Sequence, residues 1–298
     1  MSGASGSTAT NSAGSGEIAP HKPRSEPDIA LIARRILSAA DDASPIAPVT
    51  DDAADFGLHD AYRVSAAITQ LRAARGERPV GWKIGFTNRT IWDEYGVHAP
   101  IWGPMYDTTL AHADPADGPV ACPVGELAEP RIEPEIAFRL AAVPHPEMDD
   151  AELMRCVNGV AHGIEIVQSV FPGWRFKAAD TVAAFALHGC YRCGPLVPVE
   201  PDKRRDWITM LGSFEITLYR DGVEIDRGVA ANVLGNGPLA ALRAFVKGLA
   251  KYPAPAELKI GHIVTTGTVT RALPVRPGER WRTELAGLPL QGMEIALS

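Results

Sequence analysis

Apolar residues recur along this chain in two distinct rhythms. From Asp28 to Ala40, the residues Ile29, Ile32, Ala33, Ile36 and Leu37 fall on one side of a helical period while Arg34 and Arg35 fall away from it, which predicts an amphipathic helix. A looser stripe of Ala61, Val64, Ile68 and Leu71 predicts a second helix over His59 to Arg75, ended by Gly76. The texture then changes to short apolar runs between Gly and Pro, which predict strands over Val80 to Phe86, Ala99 to Tyr106, Ile132 to Leu140 and Gly159 to Ser169. A helix begun at Asp149 closes over Arg155 to Gly159, and Leu239, Leu242, Ala244, Phe245 and Leu249 place another over Gly237 to Leu249. Ser213 to Tyr219, Ile263 to Thr270 and Arg280 to Leu285 again read as strands. The first leads into Asp221-Gly222, a strong hairpin-turn pair.

A helical front third joined to a strand-rich remainder gives a mixed α+β class, and no fixed period marks an internal repeat. Asp, Pro and Gly cluster from Asp114 to Pro123, which places a change of subdomain there and divides the chain into residues 28–115 and 116–298. Residues 1–27 are expected to form a disordered tail, since Met1 to Gly16 is almost only Ser, Gly, Ala, Thr and Asn. The 298 residues are 46% hydrophobic and 22% charged, an ordinary globular balance. A formal charge of -7 argues against nucleic acid as a partner, because phosphate binding needs a cationic field. No apolar run approaches the roughly 20 residues of a membrane span and no basic, apolar leader opens the chain, so a cytoplasmic protein is expected. Cys122, Cys156, Cys190 and Cys193 are too few for a disulfide scaffold and fit reduced thiols.

The chemistry concentrates in a few segments. If Ile132 to Phe138 is a strand, Glu133 and Glu135 share one face and Ile132, Pro134, Ile136 and Phe138 the other. Two carboxylates so close need a cation or a proton, although the same spacing also describes a solvated face of an acidic protein. Pro134 cannot donate to a ladder, which suits an edge strand or a break in regular pairing. Glu165, flanked by Ile164 and Ile166, is either on the wet face of a half-buried strand or an inward charge that needs a partner. Three carboxylates without Cys or His at a zinc spacing suit Mg²⁺ or Mn²⁺. Lys83, in Gly81-Trp82-Lys83-Ile84-Gly85-Phe86, is expected to be partly desolvated with a lowered pKa, or else to snorkel from a strand edge. The pair Cys190 and Cys193 is a weak redox or zinc signal, and spacing gives His98, His162, His188 and His262 no role.

Gly81-Trp82-Lys83-Ile84-Gly85, Glu133-Pro134-Glu135-Ile136-Ala137-Phe138, Gly163-Ile164-Glu165-Ile166-Val167 and Leu258 to Gly267 together resemble the 2-keto-4-pentenoate hydratase and 4-oxalocrotonate decarboxylase branch of the fumarylacetoacetate hydrolase superfamily. The resemblance implies a smaller N-terminal α/β part over 28–115. It implies a metal-binding catalytic domain over 116–298, built as a rolled, mostly antiparallel sheet with packed helices. It further implies a homo-oligomer of aromatic catabolism, with Mg²⁺ or Mn²⁺ on Glu133, Glu135 and Glu165 and with Lys83 beside a bound 2-oxo acid. Thr266 and Gly267 match a loop that helps bind the substrate carboxylate, and Asp180 and Thr181 open another pocket segment. Two departures stand out: Pro100-Ile101-Trp102-Gly103 has no acidic residue where many hydratases carry one, and Asp180 to Phe185 has lost two polar groups and gained an aromatic ring. Trp102 and Phe185 are therefore expected at a less polar pocket. The expected activity is hydration of a 2-hydroxy-2,4-dienoate to a 4-hydroxy-2-oxo acid. Decarboxylation, acylpyruvate-type hydrolysis and a non-catalytic subunit serving a pathway partner enzyme stand behind it.

Overall fold

The computed structural model describes residues 24–298. The first stripe forms α1 (Glu26–Asp41), which Ser25 caps by accepting from the Asp28 N–H. A single turn, α2 (Val49–Asp52), precedes α3 (Leu58–Ala74), which packs against α1. Most of the expected tail lies outside the described residues. Its end is ordered: Arg24 reaches Asp55 at 2.6 Å and Glu26 pairs with Arg63 at 2.7 Å.

Strand β1 (Pro79–Gly85), the one-turn α4 (Trp92–Tyr95), β2 (Ile101–Tyr106), β3 (Leu110–His112), β4 (Val120–Cys122) and the long β5 (Arg131–Leu140) follow. Helix α5 (Asp150–Arg155), opened by a capping box of Asp149 and Glu152, is shorter than its sequence suggests. It stops because Val157 begins β6 (Val157–Val167), whose backbone pairs with β5 from Leu140 onward. Then come α6 (Ala178–Ala183), β7 (His188–Cys193), β8 (Val197–Pro198), α7 (Arg204–Leu211), β9 (Glu215–Arg220) and β10 (Val223–Val229). Asp221 and Gly222 join β9 to β10 with φ of 50° and 83°, the left-handed pair a tight hairpin needs. Helix α8 (Pro238–Leu249), β11 (Ile263–Thr268), β12 (Leu273–Pro274), β13 (Arg280–Ala286) and β14 (Glu294–Leu297) complete the chain.

The strands form two sheets. The nine-stranded sheet runs β2-β1-β11-β5-β6-β7-β3, with β12 added to β5 and β8 to β6; the five-stranded sheet runs β10-β9-β13-β14-β4. Most pairs are antiparallel. The large sheet takes β1, β2 and β3 from before residue 115 and its remaining strands from after it. Strand β5 is central rather than at an edge, and Pro134 falls where its partner changes: β11 pairs up to Glu135 and β12 takes over at Ile132. A missing N–H costs no ladder bond there.

Strand alternation gives the large sheet two different faces. Trp82, Ile84, Val264, Phe138 and Val160 belong to one apolar cluster with Phe245 of α8, while farther along the same face Ile132, Ile164 and Ile166 meet Leu218, Trp281 and Ile295 of the small sheet. Both layers are thus used to bury one face. The opposite face carries Lys83, Glu133, Glu135, Glu165 and Tyr191. Among the described residues no helix is long and apolar enough to cross a membrane.

Candidate metal centre and active site

Antiparallel register places Glu133 directly opposite Glu165 and Glu135 opposite Gly163. Like charges facing across a ladder destabilise a sheet unless something neutralises them. Oxygens of Glu133, Glu135 and Glu165 lie within 4.8 Å of one another, in the arrangement a metal ion requires. Glu135 and Glu165 are wholly buried and Glu133 nearly so, which excludes the solvated-face alternative.

Lys83 comes from β1, three strands away from β6. In a flat sheet that path is about 14 Å at about 4.8 Å per strand, yet Lys83 Nζ lies 3.0 Å from Glu165 Oε2 and 3.9 Å from Glu133 Oε2. The curl of the sheet brings the four side chains together. Lys83 is 2% exposed and does not snorkel. Burial opposes its charge, but the carboxylates of Glu165, Glu133 and Glu135 outweigh burial and raise its pKa, so the lowering expected from the apolar context is reversed. Burial, then the neighbouring carboxylates, holds Glu135 well above the usual carboxylate range. Glu165 is opposed by burial, yet Lys83 and His188 carry it below that range.

Hydrogen bonds fix these groups. Gly267 N–H donates to Glu135 Oε2 at 2.7 Å, while Glu135 Oε1 is buried with no hydrogen-bond partner. Thr266 Oγ1 donates to the Ile136 carbonyl at 2.8 Å, so this loop braces the acidic strand. Gly267 has φ 85°, and a Cβ there would sit 1.8 Å from Thr87 Oγ1, so only glycine lets the β11 backbone reach Glu135. Tyr191 fills the space over Gly163, where a Cβ would meet its hydroxyl at 2.2 Å.

A partly open cavity of about 30 Å³ lies beside Lys83 and Glu133, walled by Gly85, Phe86, Ile91, Trp174, Ala186, Leu187 and Ala272. It holds about two water-sized groups. Phe86, Trp174, Ala186 and Leu187 all have positive φ, from 52° to 62°. Left-handed backbone is costly for such side chains and concentrates at functional sites.

Three expected pocket residues lie elsewhere. Trp102 pairs with Ile84, whereas Lys83 pairs with Gly103, so the two side chains leave opposite faces of the sheet. Trp102 instead stacks on Tyr62 at 4.7 Å. Phe185 is buried under the Arg72 guanidinium, 5.4 Å from its ring centre, and contributes its two successors to the cavity but not its own ring. Asp180 accepts from Thr50 N at 3.0 Å, Thr50 Oγ1 at 2.7 Å and Lys177 N at 2.9 Å, and so joins α2 to α6. Asp180→Ala is expected to destabilise the fold by about 3 kcal/mol, because three donors lose a buried acceptor. Metal affinity of the folded variant should match the parent, as read by chemical denaturation and Mn²⁺ titration; a selective loss of binding would return Asp180 to the site.

Two buried histidines are residues that spacing did not find. His188 Nδ1 lies 2.7 Å from Glu165 Oε1 and Nε2 lies 2.9 Å from Thr109 Oγ1. His162 bridges the sheets, between the Glu135 carbonyl at 3.0 Å and Thr283 Oγ1 at 2.8 Å, and burial pushes its pKa down to about 4.

No family model matches the chain. It is 30% identical to the 2-keto-4-pentenoate hydratase of Paraburkholderia xenovorans strain LB400, over 86% of this chain and 90% of the relative. It is 29% identical to the 2-hydroxyhexa-2,4-dienoate hydratase of Comamonas testosteroni, over 86% and 92%. A 4-oxalocrotonate decarboxylase of Pseudomonas sp is also 29% identical, over 87% and 95%. Among solved structures, 4-oxalocrotonate decarboxylase from Pseudomonas putida G7, complexed with magnesium and adipate, superposes with TM-score 0.82 at 23% identity, covering 93% of this chain and all of that one. Fumarylpyruvate hydrolase from Pseudomonas aeruginosa, in complex with Mn²⁺ and pyruvate, superposes with TM-score 0.52 at 16% identity, over 74% and 89%. By sequence the chain belongs to the 2-keto-4-pentenoate hydratase family, and its fold is the one seen in 4-oxalocrotonate decarboxylase and in fumarylacetoacetate hydrolase family proteins.

Proposed function

We propose that this chain is a divalent-metal-dependent hydratase that adds water to a 2-hydroxy-2,4-dienoate with a short apolar tail and yields a 4-hydroxy-2-oxo acid. The observation that carries this reading is the buried triad of Glu133, Glu135 and Glu165 with Lys83 beside it, at one end of an apolar cavity. The named hydratases among its relatives support the reaction. The donor set fits Mg²⁺ or Mn²⁺: three carboxylates supply hard oxygens, and the partnerless Glu135 Oε1 is a ligand atom without a proton donor. When bound, such an ion supplies positive charge to the keto and carboxylate oxygens of a 2-oxo acid.

The residues of the chain supply the rest. Lys83 Nζ holds the proton that passes between the 2-hydroxyl and C5 as the dienol becomes a 2-oxo-3-enoate. Water then adds, its hydroxyl to C4 and its hydrogen to C3. Phe86, Ile91, Trp174 and Leu187 give the cavity apolar walls, which part to admit the five-carbon chain and keep bulk water from it. Among the described wall residues only Lys83 and Glu133 are charged, so the rest of the wall is apolar and suits an uncharged substrate tail. This favours hydration over decarboxylation of an oxalocrotonate-type dicarboxylate.

The test is turnover of 2-hydroxypenta-2,4-dienoate with Mg²⁺, followed by loss of dienol absorbance with the product identified. Activity should vanish with a chelator and return with Mg²⁺ or Mn²⁺. A terminal carboxylate on the substrate should lower kcat/KM by about tenfold or more; faster release of carbon dioxide from the dicarboxylate would make the chain a decarboxylase instead. The same reading takes the protein as a cytoplasmic homo-oligomer. The four buried free thiols support a reducing compartment, and sedimentation would give the assembly.

A further inference from the structure

The geometry points to His188 as the positioning residue of the metal centre: its Nδ1–H holds Glu165 in the orientation that meets Glu133 and Glu135, and Thr109 fixes the imidazole tautomer that makes this possible. The inference rests on the metal-site reading above and extends it to residues that do not touch substrate.

Three observations converge. The His188 side chain is 3% exposed and is held at both ring nitrogens, by Glu165 Oε1 at 2.7 Å and Thr109 Oγ1 at 2.9 Å. A carboxylate accepts only, so Nδ1 carries the hydrogen and Nε2 is free to accept from the threonine hydroxyl. Thr109 is itself anchored to the backbone, accepting from Tyr106 N–H at 3.0 Å, and its one hydroxyl hydrogen is shared between His188 Nε2 at 2.9 Å and the Tyr106 carbonyl at 3.2 Å. Glu165 Oε1 is therefore committed to His188, which leaves Oε2 as the oxygen facing Lys83 at 3.0 Å.

The backbone is bent to deliver this histidine. Phe185, Ala186 and Leu187 precede it with φ of 43°, 58° and 62°, three consecutive left-handed residues with side chains. Pairing between β6 and β7 then slips one residue, so that Ile166 faces Cys190 while Val167 faces His188. Left-handed single residues are tolerated, but a run of three persists only where the surroundings enforce it. The His188 contacts at the end of the run are such an enforcement, and the same turn puts Ala186 and Leu187 in the cavity wall.

Asn and Gln separate positioning from bulk. The Asn amide nitrogen falls near Nδ1 and can still donate to Glu165, whereas the Gln nitrogen falls near Nε2, toward Thr109. Mn²⁺ affinity is measured by calorimetry on metal-free protein, with thermal melting as the fold control. His188→Gln and His188→Leu are expected to weaken Mn²⁺ by about 10- to 100-fold, the usual cost of losing an outer partner of a ligand, and His188→Asn by less than about threefold. Thr109→Val, which releases the tautomer, should weaken Mn²⁺ in the same direction. Folded Gln and Leu variants that bind Mn²⁺ like the parent would overturn the inference, as would an Asn variant that loses as much affinity or stability as Leu. A parent protein that binds no Mn²⁺ would instead overturn the metal-site reading itself.

Discussion

Replacing Glu135 by Gln is expected to abolish metal binding while leaving the metal-free fold as stable as the parent or more so. Gln keeps the volume at a position with no exposed surface, and its carbonyl can still accept from Gly267 N–H, now 2.7 Å from Glu135 Oε2. What it removes is charge at Oε1, the one atom of the pair with no hydrogen-bond partner. In the metal-free protein that charge is a liability, since burial and the carboxylates of Glu165 and Glu133 both act against it. With the ion present it is a ligand. Affinity for Mn²⁺ should fall by more than about 100-fold, beyond what an outer partner costs, and turnover should fall in step. Calorimetric titration and melting of both forms check this. Unchanged metal affinity would remove Glu135 from the site, and an unfolded variant would show that its charge supports the fold.

The acidic centre was legible because four short segments in register carry it together. Glu133 and Glu135 share a face through strand alternation alone, but a solvated face stayed open for them and a wet strand face for Glu165, until the resemblance across four short segments pointed to a metal site. Their meeting depends on β5 and β6 pairing with Glu133 opposite Glu165, a register no single segment reveals. For Lys83 a desolvated and a snorkelling lysine both stayed open; it is buried, but the pKa shift expected of a desolvated lysine has the opposite sign. An apolar sequence context predicts desolvation, whereas the three carboxylates are brought in by strands far along the chain.

Trp102 illustrates a different limit. It lies one residue from Gly103, the partner of Lys83, and that single step puts it on the opposite face of the sheet. The resemblance matched its segment but could not tell which face of the strand its side chain takes. Asp180 matched a pocket motif, yet its carboxylate is surrounded by donors from Thr50 and Lys177. His188 escaped notice because it has no motif of its own; its partners Glu165 and Thr109 lie 23 and 79 residues away. No local signal marked it, because Phe185-Ala186-Leu187 makes a left-handed turn without the glycine that would announce one. Helix α7 was missed for a simpler reason: only Trp207 and Leu211 of its eight residues are buried, too few to show a period.

Replacing Lys83 by Met should separate the two tasks of this lysine. Met fills the aliphatic path between Gly85 and the carboxylates, so packing changes little, but the buried triad loses the cation that lies 3.0 Å from Glu165 and 3.9 Å from Glu133. Breaking one side of a buried ion pair costs about 3–5 kcal/mol, because the remaining charge has no solvent. The metal-free variant should therefore unfold at lower denaturant than the parent. Adding Mn²⁺ should restore most of the difference, since a divalent ion neutralises the same three carboxylates, and its affinity should equal or exceed that of the parent once a competing cation 3.0 Å from Glu165 is gone. Turnover should nevertheless fall by on the order of 10³, within the range for losing a positioned proton carrier, because the ion replaces the charge of Lys83 but not its transferable proton. Full activity would remove the lysine from the chemistry. Weaker Mn²⁺ binding would show that Lys83 organises the carboxylates before the ion arrives, and the proton role would then have to be argued from turnover at saturating metal alone.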